Sequence, residues 1–349
     1  MRLKSVLCSL PLATCTILPV ASTVAAHGAG QSGPYSIVDK WKIGGEGGWD
    51  YLLTDPGNHV LYLTHGTRVE VVDTNTGKAV GAITGLKGTH GVALDTDGKY
   101  GYISEGAGNA VVVFDRKTYE KVNSISAGTN PDGILFEPVT KTVWAFNGRS
   151  NNATVIDAGT QKVVATIPLS GKPEFPAPDG KGAVFVNIET KNSMIRLDAK
   201  AKAVTAEWSL TGCESPSGLA IDTEHHRLFS VCDGKVMAVT DAQTGTVLKL
   251  VPIGDSPDAA GYDAKDQVAF SSNGDGTLTV VNTKGDQFNV IQNLPTQKSA
   301  RTMAFDSGTG RVYLVAAEFG PKPEATADNP RPRAMALPGS FTVIVVGRK

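Results

Sequence analysis

Short apolar runs, each cut off by a polar turn, recur along the chain from Trp49 onward with a period near forty residues. In six of seven units an acidic residue closes one such run: Asp55, Asp95, Glu137, Asp222, Asp263 and Asp306. Asp179 is the nearest equivalent in a degenerate fourth unit, and the steps between neighbours are 40, 42, 42, 43, 41 and 43 residues. A unit this short cannot bury an apolar face alone, so the units must stack. The second, "HGVALDTDGKYGYISEGAGNAVVVFDRKTYEKVNSISA", predicts four strands. Alternation in "YGYIS" and the Val-rich "AVVVF" suit pleated surfaces packed between sheets, and Asp-Gly and Gly-Asn mark the turns. "HVLYLTHGTRVEVVDTNTGKAVGAI" and "RLFSVCDGKVMAVTDAQTGTVLKL" repeat the pattern.

Tandem four-stranded sheets of this length point to radial blades. The seventh unit supplies two strands in "RTMAFDSGTGRVYLVAAEFG" and a third in "SFTVIVVGRK", and "YSIVDKWKIGG" near the N-terminus is available as the fourth. The expected fold is therefore all-β, a seven-bladed β-propeller of four-stranded antiparallel blades with terminal strand closure. Residues 27–349 read as one propeller domain, in which 35–46 complete the C-terminal blade. Residues 320–339, rich in Pro and charge, read as a loop insertion.

The segments "VLYLTH", "TVWAFN", "ATVIDAGTQKVVATIPLSGKP" and "AVVVFDRKTYEKVNSISAGTNPDG" resemble the YVTN family of β-propeller repeats, including exported proteins of the YncE type. "YVTN" itself does not occur, and "KPEFPAPDG" in the fourth unit departs from the repeat. Members of such a family serve several functions, so the resemblance implies fold rather than reaction.

Residues 1–26 carry Arg2 and Lys4 ahead of an apolar stretch and a small-residue site, "ASTVAA", which reads as a secretory signal and implies a periplasmic or secreted protein. With Cys8 and Cys15 in that segment, Cys213 and Cys232 remain, and their spacing matches neither a CxxC pair nor a haem attachment motif. A disulfide is the favoured reading in an oxidising compartment, and a thiolate metal site the alternative. A net charge of -1 argues against nucleic acid as a partner, and no segment reads as a transmembrane association.

Five residues before each marker stand Asp50, His90, Asp132, Glu174, Ser217, Asp258 and Arg301. If these begin the innermost strands, they converge on one entrance of the central channel. A second set, at the end of the next strand, comprises His65, Glu105, Asn147, Asn187, Cys232, Asn273 and Glu318. The expected ligand-binding residues are Asp50, His65, His90, Glu105, Asp132, Glu174, Asp258 and Arg301. His65, His90, Asp132, Glu174 and Asp258 are the metal candidates, for calcium through oxygen ligands or for a transition metal such as zinc through the imidazoles. No GxSxG elbow surrounds Ser217, and no HExxH, P-loop or dinucleotide motif is present.

Without a specific catalytic signature, the leading expectation is a noncatalytic exported scaffold that binds a small polar ligand, a glycan, a peptide or another exported protein. The alternative is a metal-dependent lactonase or esterase, with Asp132 or Asp258 as general base. A redox enzyme with a separately bound quinone cofactor is a third reading.

Overall fold

A computed structural model describes residues 33–326, 332 and 334–349. The signal-like segment 1–26, with Cys8 and Cys15, lies outside the described residues. Seven separate four-stranded antiparallel sheets make up the fold, one per unit. In the first, Trp49–Asp55 is innermost, followed outward by Val60–His65, Arg68–Asp73 and Ala79–Ile83. The other inner strands are Thr89–Leu94, Pro131–Glu137, Pro173–Pro178, Pro216–Asp222, Pro257–Asp263 and Thr302–Asp306, each beside the next around the ring. Among the described residues no helix is long and apolar enough to cross a membrane.

The repeating acid has a local cause. At the end of every inner strand but the first, where Asp55 accepts the Asn58 side-chain amide instead, the carboxylate accepts backbone N–H groups of the turn that follows: Asp306 from Gly308 and Thr309, Asp263 from Lys265 and Asp266, Glu137 from Val139 and Thr140. Asp179 does the same for Lys181 and Ala183, so the degenerate unit keeps its cap. Such side-chain turns satisfy donors that the ladder leaves open.

The middle strands of every blade are apolar on both faces because both faces are covered. Seven buried clusters fill the seven gaps between neighbouring blades. The gap between the seventh and first blades holds Trp41, Leu61, Leu63, Tyr313, Val343 and Val345.

The expected terminal strand closure requires correction, because no sheet is closed. Tyr35–Lys42 does pair antiparallel with Thr342–Arg348, in a register running from Tyr35 opposite Arg348 to Lys42 opposite Thr342. The sheet so formed is nevertheless open like the other six, with Tyr35–Lys42 at one edge and Thr302–Asp306 at the other. A hydrogen-bonded ladder closes on itself only with enough tilted strands to form a barrel, and four are too few. Side-chain packing between blade faces, including the cluster around Trp41, completes the ring.

Cys213 and Cys232 form a disulfide across 5.4 Å between Cα atoms, which settles their pairing in favour of the bridge over a thiolate metal site. It crosslinks residues 19 apart inside the fifth blade and its approach. Reduction is expected to cost about 3 kcal/mol, the order for a loop of that length. A chemical unfolding curve with and without reductant checks this, and an unchanged midpoint would count against it.

Candidate functional site

Six of the seven inner strands carry an irregularity where the channel residue sits. Pairing shifts by one extra residue between Trp49 and Leu52, Thr89 and Val92, Pro131 and Ile134, Pro173 and Pro176, Pro216 and Leu219, and Pro257 and Ala259. A bulge re-aims the side chains it carries. Here the bulged stretches contain Asp50, His90, Asp132, Glu174, Ser217 and Asp258, while Arg301 directly precedes the seventh inner strand.

The members of this ring do not share one environment. His90 Nδ1 lies 2.6 Å from Asp50 Oδ2 and 3.5 Å from Asp132 Oδ1. One donor atom from each of these three residues falls within 4.8 Å of the other two, so three adjacent blades present a common cation-sized site. Asp258 instead accepts a hydrogen bond from Ser217 Oγ at 3.2 Å and faces Arg301 Nε at 3.5 Å. Glu174 is paired with the Lys172 ammonium, which also reaches Glu189 Oε2 at 2.5 Å.

Burial and like charge set the protonation of this ring. Asp132 is pushed up to about 6, first by burial and then by the charge of Asp50. Glu174 is pushed up to about 8 by burial and by Asp132, against the pull of Lys172. Asp50 and Asp258 are raised as well, again chiefly by burial. Burial opposes the charge on His90, but its hydrogen bond to Asp50 and the carboxylates of Asp132, Asp50 and Glu174 hold its pKa above the usual value. Carboxylates crowded in a desolvated site are held up in this way until a cation joins them.

Tyr51 forms the floor. Its ring meets Phe175 edge-on at 4.8 Å between centroids, and burial together with the charges of Asp132 and Glu174 raises its hydroxyl pKa. Beyond it the channel turns apolar, with a cavity of about 340 Å³ lined by residues such as Leu53, Ala93, Leu135 and Phe136. The acids thus stand on a low-dielectric base.

The second set is held elsewhere. His65 is buried with its ring stacked on Phe341 at 4.2 Å, its Nδ1 3.6 Å from Glu70. Glu105 accepts the Lys87 N–H at 2.7 Å. Asn147 donates to Asn152 and Thr154, Asn187 to the Ser217 carbonyl, and Asn273 to Thr277 and Thr279. Cys232 is in the disulfide, and the Glu318 backbone N–H bonds to Ser340. Except for Asn187, penultimate in Ala183–Ile188, and Glu318, two residues past Arg311–Ala316, these residues end the second strand of each blade, one strand spacing further from the channel. Their polar groups serve hairpins and blade-to-blade contacts there.

Sequence reasoning did not single out Tyr51, Lys172 or Glu189 for this site. Lys172 was accessible to it, since in an extended segment residues two apart lie on one side and Lys172 stands two before Glu174. Glu189 follows a different strand, and no spacing rule connects it to the ring.

No family model matches the chain, and no curated protein does. Among solved structures it is similar to the Kuenenia stuttgartiensis hydrazine synthase, with a TM-score of 0.67 and 17% identity over 77% of this chain and 92% of that one. At that identity the likeness supports the seven-bladed propeller fold and nothing about chemistry.

The expectation of a noncatalytic scaffold is overturned at the triad. A hydrated ring of neutralised acids would pair its carboxylates with Arg301, but only Asp258 is so paired. Asp50 and Asp132 converge on one imidazole instead, in a donor set that could hold a metal ion. That arrangement favours a catalytic, metal-associated role.

Proposed function

We propose that the protein is a metal-dependent hydrolase of lactones or carboxylic esters, with its site at the channel mouth. The observation that carries this reading is the convergence of Asp50, His90 and Asp132 donor atoms within 4.8 Å. One imidazole nitrogen and two carboxylates suit Zn²⁺ or another transition ion better than Ca²⁺, which takes six or more oxygens. Three protein ligands also leave positions open, the usual condition of a catalytic rather than structural site.

A cation held by Asp50, His90 and Asp132 would polarise the substrate carbonyl as a Lewis acid. Asp258 stands outside the triad, steadied by Ser217 and Arg301, and its raised pKa suits it to accept a proton from the attacking water. The water oxygen bonds to the acyl carbon, the acyl C–O bond breaks, and the departing oxygen takes up a proton. A lactone thereby opens to a hydroxy acid. Arg301 is the group available to pair with the carboxylate formed.

The direct test is metal content by mass spectrometry on untagged protein purified without chelator, joined to lactone and ester turnover before and after chelation. Near-stoichiometric transition metal, with turnover lost on its removal and restored on its return, is the expected result. Turnover indifferent to chelation, or absence of metal from protein so purified, would reject the reading.

The ring also makes stability depend on pH. Asp132 moves from 3.8 to about 6 on folding and Glu174 from 4.5 to about 8, so the folded state binds more protons than the unfolded one across that window. The ring's contribution to the stability of metal-free protein should therefore be fully present below about pH 4, where these groups are protonated in both states, and should be lost progressively as pH rises through 6 toward 8. The raised His90 acts in the same direction. Added metal, binding the deprotonated ligands, should reverse the trend. Thermal melts of chelated and metal-loaded protein at pH 5.5 and 8 check this, and parallel profiles would contradict it.

We further propose kinship with YVTN-repeat, YncE-type propellers, supported by the recurring sequence pattern. Export to the periplasm or the exterior is proposed from residues 1–26 and from the disulfide, which persists in oxidising compartments.

A further inference from the structure

Beside the triad lies a hollow that shares only Arg301 with the hydrolytic reading. It encloses about 420 Å³ and is lined by Gly47, Gly48, Trp49, Ser299, Arg301, Phe319 and residues 334–336. Two of its walls are continuous with the site. Trp49 immediately precedes Asp50 on the same strand, and Arg301 belongs to the ring, close enough to Asp50 and Asp258 to lower the pKa of each. Its outer wall comes from the insertion in the seventh blade, where Phe319 bridges Ala336 and the Gly320 N–H bonds to the Met335 carbonyl at 2.9 Å.

The chemistry of this wall is unlike that of the ring. Met335 is 77% exposed, and Phe319 is 45% exposed with its ring 6.1 Å from that of Trp49. A loop need not present such groups to water at the rim of an acidic mouth, and grouped exposed apolar side chains mark binding surfaces. The hollow is concave and, among the described residues, is lined by one cation, Arg301, and otherwise largely by apolar and small residues. Concave apolar sites with a few placed polar groups are the general form of small-molecule sites.

We infer that this hollow is the acyl-arm subsite: Trp49, Phe319 and Met335 take the hydrocarbon arm of a medium-chain ester or lactone, and Arg301 takes the carboxylate of the acid product. The inference rests on the hydrolase reading for the name of the substrate, but not for the binding itself. A product carboxylate with an alkyl chain should occupy the same place, its charge on Arg301 and its chain across the aromatic pair. Specificity would then come from the insertion and the reaction from the ring, in keeping with function carried by loops on a rigid scaffold.

The test is isothermal titration of butanoate and octanoate into the protein as purified. Each methylene removed from water contributes, so octanoate should bind roughly tenfold or more tightly than butanoate. The double substitution Phe319→Ser with Met335→Ser should abolish that difference, and Arg301→Gln should weaken both acids alike. Both apolar positions are exposed, and an unfolding curve verifies that the double variant is folded. Equal affinity for the two acids, or a chain-length gradient that survives the double substitution, would overturn the subsite. Turnover of lactones of increasing side-chain length separates the two readings. Metal-dependent turnover without a binding gradient removes the subsite alone, whereas a binding gradient without turnover under any metal leaves the subsite and removes the hydrolase.

Discussion

Replacing His90 by alanine is expected to leave a folded protein with less than a tenth of the bound metal and a kcat/KM lowered on the order of a thousandfold. Carbonyl polarisation by a metal ion contributes several kcal/mol, and each 1.4 kcal/mol or so is tenfold in rate. The imidazole is the only nitrogen donor of the triad, 2.6 Å from one carboxylate and 3.5 Å from the other. Its loss would leave Asp50 and Asp132 facing each other without the group that favours their ionised forms. Both carboxyls should then shift further upward, and the site would hold protons instead of a cation. The His90 side chain is 26% exposed in the channel, so its removal opens little core. Metal analysis and turnover should fall together while the urea midpoint at pH 5.5 stays within the range of surface substitutions. Glu105→Gln, in the second set, is the companion variant, since Glu105 receives the Lys87 backbone N–H and lies outside the triad. Full metal occupancy in His90→Ala, or loss of turnover with the metal retained, would dismiss the triad as the centre of the chemistry.

Trp41→Ala should cost about 3–5 kcal/mol of unfolding free energy, the order for deleting a buried indole. The residue lies on the edge strand of the seventh blade, yet its ring is 93% covered and packs 5.4 Å from Tyr313. Its Nε1–H donates to Asp39 at 2.8 Å, so the one polar atom is satisfied. Gly77, in the third turn of the first blade, lies so close that a Cβ there would meet the indole at 2.4 Å, and its φ of +68° independently favours glycine. Trp208 stands in the same relation to Gly245 between the fourth and fifth blades. Trp41 differs in that its own blade combines strands from the two ends of the chain, with Tyr313 beside it in the same sheet. Equilibrium urea denaturation followed by circular dichroism measures the loss. A cost under about 1 kcal/mol would mean that packing at this gap does not hold the ring together.

The number of blades and the place of each strand were legible because their causes are local. Asp263 and Asp306 cap turns two or three residues away, and Val112 or Val280 is buried because its own strand has both faces covered. Interactions confined to one hairpin leave a trace at fixed spacing. The offset of five residues to Asp50, His90 and Asp132 is of the same kind, because the inner strands are alike in length and begin at the same rim. The cysteine pair was legible once few partners remained.

Other features had no local cause. The one-residue shifts beside Asp50, His90 and Asp132 arise where an inner strand meets both its own neighbour and the adjacent blade. That the last sheet remains open, and that its face carrying Trp41 and Tyr313 completes the ring by packing on Leu61 and Leu63 of the first blade, depends on surfaces contributed by both ends of the chain. Seven polar residues at equal offsets were equivalent in the sequence, whereas in the structure Lys172 takes Glu174, Arg301 takes Asp258, and Asp50, His90 and Asp132 are left to converge. The sequence by itself determined the blades, their strands and the rim where polar groups gather, because periodic burial and turn capping act within a few residues. Only the tertiary structure decided which of those groups share a site, because donor distances across a channel depend on bulges, rotamers and charge partners contributed by different blades.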